Sequence, residues 1–304
     1  MYNILYTEMK TTHFFDCVKQ PEQVKNELER IDDFSHIFKS DVSNKTMATL
    51  IIGRRECGKT HLVKDIINSY NEHNMIEELY IFTHEHKKQN YTDIVYNIDD
   101  IMHLPINNCE TYFEDFLKMV GEKQHKKYVE GKNNSSKNTM IVLDDIISNH
   151  KITRTQEFKN FICNIHTLGI NLICTLQFST GICPEMRCQF DNVIFFKDNN
   201  ISNIKRCYEH YFGMISKFEY FNHFVSKLDN YECLMLSRNG KKINLYESNY
   251  ITPNNKIKLN KFNVKIDNKN DKNIEILKKI EKNNLGIKKI TKENDKLIKL
   301  LNFT

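Results

Sequence analysis

Gly53-Arg54-Arg55-Glu56-Cys57-Gly58-Lys59-Thr60 follows the apolar run Ala48–Ile52 and precedes a segment with Leu62, Ile66 and Ile67 on one helical face. The octapeptide satisfies G-x-x-x-x-G-K-[ST] at every fixed position, and a strand before it and a helix after it give that pattern its mechanism. The glycines let the backbone turn so that N–H groups converge on anionic oxygens, with the positive end of a helix dipole behind them. Lys59 is spaced to reach the β- and γ-phosphates of a nucleoside triphosphate, and the Thr60 hydroxyl to ligate Mg²⁺. The loop therefore predicts a site for ATP and Mg²⁺, contacted by Gly53, Arg55, Glu56, Cys57, Gly58, Lys59, Thr60 and His61. Arg54 and Arg55 are read first as solvated, with Arg55 the better candidate for neutralising γ-phosphate charge.

Working outward, short apolar runs recur at 48–52, 79–82, 94–96, 140–143, 172–176 and 193–196. Helical-length segments at 61–71, 111–129, 156–168 and 202–211 separate them. This alternation predicts an α/β fold of three layers, a mostly parallel sheet covered on both faces. Runs at 233–236 and 242–245 flank Arg238-Asn239-Gly240, a hairpin signal. The run 140–143 ends in Asp144-Asp145, the Walker-B arrangement. Asp144 is placed to hold Mg²⁺ through its water shell, and Asp145 to orient or deprotonate an attacking water. The next run ends in Gln177, which is placed to contact a γ-phosphate or the lytic water.

GRRECGKT (53–60), MIVLDD (140–145) and HTLGINLICTLQ (166–177) together resemble the genome-packaging ATPases of large nucleocytoplasmic DNA viruses. These are the poxvirus-type branch of the FtsK–HerA P-loop NTPases. Pro184-Glu185-Met186-Arg187, with Asp191 beyond it, looks like a further segment of that family. The resemblance covers about residues 47–246 and implies an additional-strand, RecA/FtsK-like P-loop fold. It also implies an oligomeric ring with ATP between subunits, double-stranded DNA in the pore, and capsid or membrane-associated packaging components as partners. By the same resemblance Lys59, Asp145 and Gln177 take catalytic positions, and Arg187 becomes an arginine finger offered to the neighbouring subunit; pairing with Asp191 is its plainer role. The expected location is the host cytoplasm (virus factory) and the virion. Two positions depart from the family: Ile165 stands where an arginine commonly precedes the histidine, and Asp145 where related motors often carry glutamate.

Composition sets the frame. The chain has 304 residues with a net charge of +5, but residues 256–304 hold 14 lysines against 6 acids, a net of +8, leaving 5 − 8 = −3 for residues 1–255. Any electrostatic footprint for nucleic acid is expected in the tail or in local loops. Nine cysteines, an odd number in scattered positions, fit reduced thiols. Cys183 and Cys188 are too loosely spaced to read as a zinc pair. No apolar stretch reaches the roughly 20 residues of a transmembrane segment. The sequence divides into an N-terminal extension (1–46), a P-loop ATPase domain (47–252) and a basic Lys/Asn-rich tail (253–304). Within the extension, 21–38 can form an amphipathic helix; in the tail, 271–301 carries a heptad that reads either as a frayed basic segment or as an oligomerising or docking helix. The lysines at 123–127 and the polar loop 132–137 read as a solvated helix end or as a DNA-facing element. The functional expectation is an ATP-hydrolysing DNA translocase. Its rivals are a P-loop kinase or small-molecule phosphotransferase and a non-catalytic nucleotide- or DNA-binding adaptor.

Overall fold

The structure, a computed structural model, describes residues 30–31, 46–105, 107–130, 138–147, 150–215, 217–237, 242–247, 252–253 and 256–262, with 30–31 and 242–247 described by backbone alone. Eight strands form one sheet: β1 (Arg30–Ile31), β2 (Ala48–Ile52), β3 (Ile76–Phe82), β4 (Asn138–Asp144), β5 (Ile170–Leu176), β6 (Asn192–Phe196), β7 (Glu232–Ser237) and β8 (Lys242–Glu247). Their order across the sheet is β1-β8-β7-β6-β2-β5-β4-β3. The five strands from β6 to β3 run parallel, whereas β7 is antiparallel to both β6 and β8. The Asn-Gly signal thus correctly marks a hairpin between β7 and β8.

The sheet is buried on both sides because its strands alternate between two apolar sets. Ala48, Leu50 and Ile52 of β2 join Leu143, Leu172 and Leu176 in one cluster, together with residues from α2 (Cys109–Val129), α3 (Gln156–Asn164) and α5 (Phe218–Lys227). Ile51 of β2 joins Val142, Ile173 and Ile194 in a second cluster, covered by Leu62, Val63, Ile66 and Ile67 of α1 (Lys59–Glu72). Two cores on opposite faces of one sheet make the three layers. Each fully buried leucine or isoleucine adds about 1.5–3 kcal/mol of transfer free energy. Capping fixes where the helices begin: Thr155 Oγ1 accepts the Phe158 N–H at the start of α3, and the Asn200 side chain accepts from Ser202 and Asn203 at the start of α4 (Ile201–Cys207).

Some elements differ from the sequence expectation. Ile94–Tyr96 is not a strand: Ile94 and Val95 donate back to Tyr91 O in a turn, and only an isolated bridge joins Val95 to Ile257. Three apolar residues suffice to bury a turn but not to define a ladder. Arg30 and Ile31 are extended, paired parallel with Leu245 and Tyr246, so a helix across 21–38 is not formed there. Helix α3 stops at Asn164, and the chain turns through Gly169, whose φ of +68° suits glycine. The expected helix 202–211 changes to a π turn over Tyr208–Phe212. Helix α5 was missed altogether.

The packed body also continues past residue 252. Ile257 and Leu259 are buried in the second cluster, and Asn260 N–H donates to Leu79 O at 2.9 Å. The unit that holds the sheet extends to Phe262. The polar loop 132–137 and the heptad segment 271–301 lie outside the described residues.

Candidate functional site

The octapeptide wraps from the end of β2 into α1. Gly53 N–H donates to Leu176 O at 3.0 Å, which ties the start of the loop to the end of β5. A methyl group at Gly53 would fall 2.5 Å from Cys57 Sγ and 2.9 Å from Phe196 Cβ, so only glycine fits. Gly58 has φ +104°, and Glu56 beside it is also left-handed at +61°. Lys59 is buried, with Nζ donating to Gly53 O and Arg54 O at 2.7 Å each. Burial lowers its pKa below the ordinary lysine value, against the opposing pull of the Cys57 thiol and the carboxylates of Asp145 and Asp144. The Cys57 thiol, turned inward under the loop, is pushed up by burial.

Strand order brings the other motifs to this loop. An additional strand, β5, lies between β2, which carries the loop, and β4, which carries the paired acids. Thr60 Oγ1 lies 3.4 Å from Asp144 Oδ2, although 84 residues separate them. Asp144 is completed by two more hydroxyls: Thr175 donates to its Oδ1 at 2.7 Å and Tyr91 to its Oδ2 at 2.9 Å. Thr175 Oγ1 also accepts the Asp145 N–H at 2.8 Å, so one threonine on the inserted strand fixes both acids. Asp145 turns sharply out of the strand with φ +63°, a rare conformation for a residue with a side chain. Its Oδ2 accepts from Gln177 Nε2 at 2.6 Å and from Lys87 Nζ at 2.7 Å. Burial would raise the Asp145 pKa, but these two hydrogen bonds, with the charges of Lys87 and Lys59, hold it below the usual aspartate value.

A cavity of 1120 Å³ is lined by Arg55, Glu56, Lys59, Thr60, His61, Asp145 and Gln177 among others, whereas Asp144 is buried and does not line it. It is large enough for a nucleoside triphosphate. Arg54, Arg55 and Glu56 are exposed, and Arg54 and Arg55 also border an adjoining recess of 300 Å³. Arg187 does not line the main cavity. Its Nε donates to Ile182 O at 3.2 Å, while Asp191 Oδ2 accepts the Ala48 N–H at 2.8 Å and faces His166 Nε2 at 3.4 Å. The lysines at 123–127 lie on α2, where Lys123 meets Glu78 at 2.5 Å and Lys127 meets Glu77 at 2.9 Å.

Sequence reasoning missed Lys87, Tyr91 and Thr175. Thr175 left a trace: in a strand it shares a face with Gln177, two residues on. Lys87 and Tyr91 come from the 3-10 segment Glu85–Tyr91, which carries no periodic signal.

The donor set suits Mg²⁺. Among the described residues no group of three or more His, Cys, Asp or Glu gathers into a protein-only metal cage. One buried carboxylate beside one hydroxyl is what Mg²⁺ uses when phosphates and water complete its shell.

Loop, acids, polar strand end and inserted strand together define an α/β P-loop NTPase fold of the additional-strand, RecA/FtsK-like type. Solved structures agree. The DNA-packaging ATPase B204 of Sulfolobus Turreted Icosahedral Virus superposes with a TM-score of 0.53 at 18% identity, over 68% of this chain and 100% of that one. The genome packaging NTPase B204 of Sulfolobus turreted icosahedral virus 2, in complex with AMPPCP, gives 0.51 at 17% identity, again over 68% and 100%. In sequence the chain is similar to uncharacterized protein 075L of Invertebrate iridescent virus 6, 27% identical over 41% of this chain and 47% of the relative, and so spans about half the length of that protein. It is also similar to protein 015R of Frog virus 3, 21% identical over 75% of this chain and 68% of the relative. No model of a known protein family matches the chain. Among the described residues no helix is long and apolar enough to cross a membrane.

Proposed function

We propose that the chain hydrolyses ATP with Mg²⁺ and uses the energy to move double-stranded DNA into a viral capsid, as a poxvirus-type packaging motor. One observation carries this reading: Lys59 and Thr60 at the start of α1, Asp145 beyond β4 and Gln177 beyond β5 line a single cavity, with buried Asp144 at 3.4 Å from Thr60 Oγ1. Lys59 holds the loop carbonyls now and would turn to the β- and γ-phosphates. Asp144 and Thr60 would hold Mg²⁺, which withdraws charge from the phosphate oxygens when bound. Asp145 would take the proton of the attacking water as its oxygen forms the new bond to phosphorus and the bond to the ADP oxygen breaks. Its present partners Lys87 and Gln177 fix its Oδ2 and favour the ionised form.

The likeness to packaging ATPases supports the translocase role, and the viral relatives support a place in the infected cell; location in the virus factory and the virion belongs to the proposal. The ring belongs to the same proposal. Arg187, outside its own chain's cavity, would serve the ATP of the adjacent subunit. Exposed Arg55, which lines the cavity, would serve its own chain's ATP instead if the finger acts in cis. Capsid or membrane-associated components would anchor the ring, and the basic tail would bind DNA or those components.

The test is an ATPase assay of the full chain with and without duplex DNA, repeated for Lys59→Ala and Asp145→Asn. Duplex-stimulated release of phosphate, lost in both variants, supports the motor. Turnover that requires a small phosphate acceptor and ignores DNA would instead indicate a phosphotransferase. DNA binding unaffected by Lys59→Ala, with no hydrolysis, would indicate an adaptor.

A further inference from the structure

We propose that the Tyr231 ring is the platform on which the nucleobase of the bound triphosphate stacks. This rests on the phosphate-loop reading above and extends it to the end of the ligand that the sequence motifs leave unassigned.

Direction comes first. Asp144, Asp145 and Gln177 stand at the ends of β4 and β5, on one side of β2. The reacting γ-phosphate must lie on that side. A triphosphate laid along Lys59 and Thr60 therefore directs its nucleoside toward the opposite flank, where β6 and β7 follow β2 in the sheet. Tyr231 is the residue immediately before β7. A methyl at Gly58 would lie 3.0 Å from Tyr231 Cδ1, so the ring edge rests against the turn of the phosphate loop itself.

Conformation comes second. Tyr231 has φ +71°, in the region that bulky side chains rarely occupy. For bulky residues such backbone is concentrated at functional sites. The ring is not buried in exchange: it remains 57% exposed. A tyrosine in an unfavourable backbone region, pressed to the phosphate loop yet open to solvent, has a free aromatic face beside the ligand path.

Space comes third. Tyr231 borders both the 1120 Å³ cavity and the adjoining 300 Å³ recess, the latter shared with Phe196, Lys197 and Asn230. Lys197 and Asn230 bring polar groups to the rim where a base edge would project. Of the other exposed rings that line the main cavity, Phe178 at 54% follows Gln177 and the stacked His84 and His86 follow β3, so these stand on the reacting side, while His61 lies on α1. Aromatic stacking tolerates any base because every base has a π-face. The ligand class is thus a nucleoside triphosphate held by its phosphates and its base plane.

The experiment is equilibrium titration of the full chain with Mg-ATP and, separately, with inorganic tripolyphosphate and Mg²⁺, for the native protein, Tyr231→Phe and Tyr231→Ala. Loss of the ring should weaken ATP on the order of tenfold while leaving tripolyphosphate unchanged, and Tyr231→Phe should bind both as the native chain does. Unchanged tripolyphosphate binding also shows that the loop is still folded in the alanine variant. Equal weakening of both ligands in Tyr231→Ala would overturn the proposal, since the ring would then act only by supporting Gly58. Native-like ATP binding in Tyr231→Ala, or a loss found instead in Phe178→Ala, would overturn it as well. A native chain that takes up neither ligand removes the phosphate-loop reading and this inference with it, an outcome distinct from all the others.

Discussion

On the side of the phosphate loop where β4 and β5 end, the two carboxylates are buried: Asp144 and Asp145 are 1% and 2% exposed, and hydroxyl, amide and ammonium donors reach them. On the side facing β6 and β7, Arg54, Arg55 and Tyr231 stand in solvent. The difference follows from what each flank is built on. The first grows from the ends of buried parallel strands, whose register sets side-chain positions before any ligand arrives. The second grows from loop residues, whose side chains project from the backbone into solvent. Preorganised donors on the rigid flank suit charge that develops during a reaction. The open flank suits recognition of parts that do not react.

This contrast can be broken by substitution. Lys59→Ala, which removes the buried cation from the centre of the loop, should reduce ATP hydrolysis by at least ~10²-fold, read as phosphate release at saturating Mg-ATP. Asp145→Asn should lower turnover by a comparable ~10²–10⁴-fold while ATP still binds, because the amide keeps the shape but accepts no proton. Chelation of divalent cations with EDTA should also stop turnover yet leave the melting transition in place, since Asp144 is satisfied by Thr60, Thr175 and Tyr91 without a metal. Hydrolysis that survives EDTA would remove Asp144 and Thr60 from the metal site.

Thr175→Val leaves Asp144 short of a donor and the Asp145 N–H short of an acceptor, and should cost about 1–3 kcal/mol in denaturant unfolding. Arg54→Ala, on the exposed flank, should change stability by less than ~0.5 kcal/mol. Equal costs for the two would mean that the flanks do not differ in rigidity.

The motifs were legible because they are local or periodic. Gly53 to Thr60 specify their loop by backbone turn and charge alone. The runs ending in Asp144 and Gln177 announce buried strands that deliver a polar group to one edge. Lys87 and Tyr91 were not legible, because a 3-10 segment has no repeating pattern and its side chains gain meaning only against Asp144 and Asp145. Ile94–Tyr96 misled for a related reason: an apolar triplet is equally at home in a buried turn. Ile257 and Leu259, placed in the tail by composition, belong to the core because burial answers to the partner across the gap and not to the lysines beside it in sequence.

Read alone, the residues were enough to give a G-x-x-x-x-G-K-T loop running into a helix, two carboxylates and an amide at the ends of later strands, and a mostly parallel sheet. It took the folded chain to show that β5 lies between the loop strand and the acid strand, that Thr175 serves both aspartates, and that Tyr231 rests on Gly58. The physical reason is that strand order and contacts between distant segments depend on how whole faces pack, and packing is shared among residues far apart in the chain.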